Sequence, residues 1–252
     1  MTKRTDAVVT RRRALLAGAA AAGFLGLFTR GNAIELRGMP AWDPLSGPPP
    51  DIVKPGPWQF FTAEEGTAVE ALVDRLIPPD PKWAGGKDAG CAVYIDRQLA
   101  GPFGRSAGLY MRPPFDEQAT DRGPQSPFTP AQRYRRSLAD LDEHCKGAFA
   151  GKSFAQIPDA EKDKLLSGLE SGAVTLKHNT GRGFFELLLQ NTKEGFFADP
   201  AYGGNRDMVG WRMIGFPGAR YDYRDWIERH NETYPRPPVA ISGAPQWTPR
   251  QG

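Results

Sequence analysis

Few residues of this 252-residue chain have a type and spacing that could carry chemistry. The three histidines, His144, His178 and His230, are scattered and lack any metal-ligand spacing, so each reads as a surface or capping residue. Glu64-Glu65 could serve as an acid/base pair. Adjacent residues on a helix diverge by about 100°, however, and Glu65 is claimed by a cap. Cys91 and Cys145 could form a disulfide in an oxidising compartment, or be two small buried side chains. Their spacing does not choose between these, because the bond needs Cα atoms roughly 4.4–6.8 Å apart. Asn205, Arg206 and Asp207, with Trp211, could grip a sugar by hydrogen bonds and stacking. The plainer reading is that Asp207 caps a helix and Arg206 pairs with a nearby carboxylate.

The chemistry missing from the chain narrows the field. No Gly-x-Gly-x-x-Gly follows a strand, so the chain has no dinucleotide site of its own. No Cys-x-x-Cys-His is present to attach haem covalently, and two cysteines cannot hold an iron–sulfur cluster. No nucleophile elbow is expected.

The elements that must position these residues read as helices. Thr62-Ala63-Glu64-Glu65 is a capping box, followed by Val69, Leu72, Val73 and Leu76 on one helical face and a stop at Pro78-Pro79. A second helix is predicted over residues 91–99, with Ala92, Ile95 and Leu99 aligned. After a proline-rich stretch at 101–128, Thr129, Pro130 and Gln132 start another helix as N-cap, N1 proline and capping-box Gln. Its inward face carries Tyr134, Leu138, Leu141 and Cys145. A short helix follows Pro158, through Leu165, Leu166 and Leu169 to Gly172. Residues 184–189 are apolar nearly all round, which predicts a central buried helix. No strand pattern of comparable strength exists. The fold class expected is mainly α: one irregular helical domain at 58–233 with long Pro/Gly-rich loops. Extended arms at 34–57 and 234–252 flank it, because prolines there exclude a helix.

The first 33 residues stand apart. Arg4 and Arg11-Arg12-Arg13 precede an uncharged stretch at 14–28 rich in Ala, Leu, Gly and Phe, and Gly31-Asn32-Ala33 offers small residues for cleavage after Ala33. That order of parts is a secretory signal, and Arg11-Arg12 resembles the twin-arginine motif. An uncleaved membrane anchor is the alternative, but fifteen residues fall short of the ~20 a spanning helix needs. The motif implies passage through the twin-arginine translocase, a route for chains that fold around a cofactor, or bind a cofactor-loaded partner, before export. The basic balance of the chain also belongs here. Lys3, Arg4, Arg11, Arg12, Arg13 and Arg30 fall in residues 1–33 against Asp6 alone, leaving 26 basic and 28 acidic residues beyond them. A net charge of −2 gives a nucleic-acid role no electrostatic support.

Residues 184–218 are unlike the rest. They contain Glu-Gly-Phe-Phe-Ala-Asp-Pro-Ala-Tyr-Gly-Gly-Asn-Arg at 194–206, then Trp211 and Phe216 among further glycines. A loop so rich in aromatics is either packed under a partner or an ordered cap over its own core. This run, with the helix starting at Thr62, the 90–99 helix and the signal, resembles the small (third) subunit family of gluconate 2-dehydrogenase-type membrane-bound sugar dehydrogenases. The resemblance spans most of 60–220.

The resemblance implies a non-catalytic subunit that helps a large flavoprotein mature and cross the membrane. That partner would be of the glucose–methanol–choline class and carry FAD. A multihaem cytochrome c would pass electrons onward, and no cofactor would belong to this chain. The complex would sit in the periplasm against the cytoplasmic membrane. Glu194, Phe196, Phe197, Tyr202, Asn205, Arg206 and Trp211 are the candidate partner interface, with the two arms wrapping the partner. A stand-alone periplasmic sugar-binding protein or oxidoreductase is the alternative reading.

Overall fold

The computed structural model describes residues 52–54, 56–116, 126–177, 181–220 and 223–241, all within the unit 43–252. Arg11, Arg12, Ala33, His178 and most of both arms lie outside the described residues.

The described residues are mainly helical, as the sequence predicts, with six α-helices of which the last, Val209–Ile214, is not among those read from the sequence pattern. Helix α1, Ala63–Leu76, starts at the capping box: the Thr62 hydroxyl accepts from the Glu65 N–H, and the Glu65 carboxylate from the Thr62 N–H. Its buried stripe is Gly66, Val69, Leu72 and Val73. Helix α2, Cys91–Ala100, buries Cys91, Ala92, Ile95, Asp96 and Leu99. Helix α3, Pro130–Ala148, begins with the Thr129–Gln132 box and buries Tyr134, Leu138, Leu141 and Cys145. Helix α4, Asp159–Ser171, follows Pro158 and ends at Gly172 in the left-handed conformation at φ 78°. Helix α5, Gly181–Phe197, is the centre of the fold: it packs on α2 and α4 and touches α1, α3 and the short α6, Val209–Ile214.

Helix α5 corrects the sequence reading in two ways. Residues 184–189 are not buried all round. Phe184, Phe185 and Leu188 enter the core, while Leu187 and Leu189 are half-buried and Glu186 is exposed. The helix also runs on to Phe197, because its polar residues turn inward and are satisfied there. Asn191 Oδ1 accepts from the buried Tyr134 hydroxyl at 3.0 Å, and the Thr192 hydroxyl donates to the Leu188 carbonyl at 2.7 Å. A buried polar group with a partner costs little, so the helix continues where the sequence reads as loop.

Asp96 fastens the segment that leads from the first arm into α1 to this bundle. Its carboxylate is fully buried and accepts from the backbone N–H groups of Gln59, Phe60 and Phe61, each at 2.9 Å, while Arg97 pairs with it. Three donors and a guanidinium replace the water the carboxylate gives up. Among the described residues no helix is long and apolar enough to cross a membrane.

Candidate functional site

The aromatic stretch after α5 folds into a junction of turns. At the end of α5, Phe196 joins the core and Phe197 is exposed. Asp199 opens the next turn, a 3-10 segment at Pro200–Tyr202, by accepting from the Ala201 N–H at 2.9 Å. The other Asp199 oxygen accepts from the Ile241 N–H at 2.6 Å, which fixes the second arm. The Ala201 carbonyl accepts from the Val53 N–H at 2.9 Å, which fixes the first arm. The second arm also forms an isolated parallel bridge between Val239 and Gly218. Both arms are therefore bound within three residues of one motif.

Asn205 holds the centre. It is fully buried at φ 46°, its amide nitrogen donating to the Ala198 carbonyl and its amide oxygen accepting from the Gly210 N–H, both at 2.8 Å. Asp207 and Met208 are also left-handed, at φ 55° and 56°. Non-glycine residues in this region cost on the order of 1 kcal/mol or more each and persist only where the surroundings over-determine them. Here the Asn205 bonds and the backbone approach at Gly204 do so. A Cβ on Gly204 would overlap the Gly195 carbonyl oxygen, so only glycine lets this turn lie against α5. Helix α6 then places Trp211, whose indole N–H donates to the Phe197 carbonyl at 2.8 Å and whose ring meets Phe216 edge-on at 5.2 Å.

The candidate interface residues thus divide. Phe196, Asn205 and Trp211 are buried and build the junction. Glu194, Phe197, Tyr202 and Arg206 are exposed. Glu194 accepts from Gln190 and Asn191 one turn back on α5. The plainer reading of the next two residues needs correction. Asp207 does not cap α6: its N-cap is Met208, with no side-chain cap bond. Arg206 has no carboxylate partner among the described residues. Its N–H donates to the Ala89 carbonyl and its side chain lies over Gly90. Nor do Asn205, Arg206, Asp207 and Trp211 offer a sugar site, since Asn205 spends both ends of its amide internally and the Trp211 ring is buried.

Cys91 and Cys145 are both buried free thiols, so the disulfide is not formed. Burial pushes the Cys91 thiol up to about 12 and the Cys145 thiol to about 11. Neither is a nucleophile at neutral pH. Among the described residues no group of three His, Cys, Asp or Glu side chains could hold a metal ion.

One string escapes the expectation of no elbow. Gly104-Arg105-Ser106-Ala107-Gly108 spells Gly-x-Ser-x-Gly, and Ser106 is left-handed at φ 54° beside an apolar cavity of about 440 Å³. The string lies in the loop after α2 and not on a strand-to-helix turn. Among the described residues the lining holds no histidine, and its one carboxylate, Glu186, is paired with Arg182.

Sequence reasoning missed the two carboxylate fasteners, Asp96 and Asp199. Asp-Pro at 199–200 is a turn-initiating pair and could have flagged the second.

The fold and junction define a small helical domain in which Asp199 and Asn205 bond to the chain's own backbone. The family model described as gluconate 2-dehydrogenase subunit 3 matches residues 63–218, and the chain belongs to that family. Its description implies a multi-subunit dehydrogenase complex of which this chain is one part. No curated protein and no solved structure matches the chain.

Proposed function

We propose that this chain is the non-catalytic small subunit of a periplasmic, FAD-dependent sugar or sugar-acid dehydrogenase, and that it escorts the flavoprotein through the twin-arginine translocase. The observation that carries the proposal is family membership combined with the Arg11-Arg12 signal at the head of the same chain. A translocase that accepts folded cargo gives a subunit without its own redox motif a reason to carry such a signal. FAD would be held by the glucose–methanol–choline-type partner and haem by a multihaem cytochrome c. The complex would rest against the cytoplasmic membrane.

The internal use of Asn205 and Trp211 supports this reading over a stand-alone sugar-binding protein, which needs such groups free for ligand. The test replaces Arg11-Arg12 by Lys-Lys and follows the flavoprotein by cell fractionation. The expected result is that both chains stay in the cytoplasm. A flavoprotein that reaches the periplasm at normal levels refutes the escort role.

A further inference from the structure

We infer that the flavoprotein docks on the junction itself, through Phe197, Tyr202, Met213, Ile214 and Phe216, and that both arms reach it from the same place. This rests on the reading above that a flavoprotein is the partner.

The distribution of exposed apolar side chains locates the surface. Among the described residues eleven large hydrophobics are exposed. Five are those just named, at 37–61% exposure, and two more, Ile52 and Ile241, flank them on the bound ends of the arms. Backbone and side-chain bonds tie together the segments that carry these seven residues. Val53 is bonded to Ala201, Ile241 to Asp199, Val239 to Gly218, and Trp211 to Phe197. Leaving a cluster of this kind in water is unfavourable, and such clusters mark association sites.

Lys193, Arg206 and Arg212, with Glu194 and Asp207, are exposed on the same segments and carry charge of both signs. Exposed apolar side chains interspersed with charges of both signs suit a protein–protein contact. An anionic lipid surface would call for a basic rim.

The left-handed residues Asn205, Asp207 and Met208 add to the case. They hold α6 beside Phe197, so that Val209 and Trp211 are buried while Met213 and Ile214 stay exposed. Finally, the described ends of both arms are bonded beside the patch, through Val53 and Ile241, so the chain enters and leaves the body there.

The competing surface is the mouth of the 440 Å³ cavity, lined by the exposed Phe103 and Leu109, with exposed Tyr110 next in the chain. It serves as the control.

The experiment uses the full chain co-expressed with its flavoprotein, which carries the tag. Wild type, Tyr202→Asp, Ile214→Asp and Tyr110→Asp are compared by co-purification and by affinity. All three side chains are exposed, and a melting temperature within a few degrees of wild type qualifies a variant as folded. Tyr202→Asp and Ile214→Asp are each expected to weaken binding about tenfold or more, as for residues central to an interface, and Tyr110→Asp less than about twofold.

Undiminished binding by both junction variants overturns this surface while leaving the proposed function standing. Failure of the wild type to co-purify overturns both. Two other outcomes also overturn the inference: a dimer of the chain alone that Ile214→Asp splits in light scattering, or binding to anionic phospholipid vesicles that the junction variants abolish.

Discussion

Asn205→Ala tests whether one side chain holds the junction together. The substitution removes two 2.8 Å hydrogen bonds and leaves the buried Gly210 N–H without an acceptor. An orphaned buried donor costs about 1–3 kcal/mol, while the half-buried Ala198 carbonyl recovers much of its loss from water. Alanine must also occupy φ 46°, which costs about 1 kcal/mol more than for residues that tolerate the left-handed region. The total is about 3 kcal/mol. For a domain of about 200 residues, each kcal/mol shifts the melting temperature by roughly 2–4 °C, so a fall of about 6–12 °C is expected. Asn205→Gly loses the same bonds but relieves the backbone and should recover about 1 kcal/mol of the loss. Thermal unfolding of the purified chain followed by circular dichroism measures both. A shift under about 2 °C for Asn205→Ala would refute the bonding argument. A glycine variant no more stable than the alanine variant would refute the strain argument.

Asp96→Asn should loosen the segment at 59–61 that leads into α1, because the new amide NH2 faces backbone N–H groups that need acceptors. A loss on the order of 3 kcal/mol is expected in denaturant titration, with new protease cleavage near residues 57–61 before the body is cut. The buried thiols give a pH dependence. Their folded-state values, about 12 for Cys91 and about 11 for Cys145, lie above the ordinary thiol value, so burial favours the neutral form. That contribution is fully present below about pH 8.5 and is lost as pH rises towards 11–12. Stability should therefore fall on the alkaline side, and Cys91→Ser Cys145→Ser should titrate with a shallower alkaline limb. At pH 8 a thiol reagent should label neither cysteine of the native chain, and both after unfolding in guanidinium.

What the sequence disclosed was local, and what it hid was not. The starts of α1 and α3 were legible because a capping box is written in four consecutive residues. The inward faces of those helices followed from periodicity, down to Cys145. The end of α5 was not legible, since Asn191 looks like a loop residue until Tyr134 arrives from 57 positions away. The Asp96 and Asp199 fasteners span 35–37 and 42 positions and leave no pattern within a window. In the signature, composition announced a special loop, and the division into buried and exposed aromatics came only with the backbone. Phe196 and Phe197 are neighbours with opposite fates because a helix turns them to different sides.

The bonding of both arms to residues 199 and 201 has a topological consequence. Two residues span at most about 7 Å of chain, so the body closes on itself almost like a ring. A ring of that kind can be reopened elsewhere. A circular permutant that links residue 241 to residue 52 by a short glycine-rich connection, and starts afresh at the exposed turn at 150–151, should keep all six helices. In such a molecule the folded body would be separated for the first time from the two segments it holds side by side.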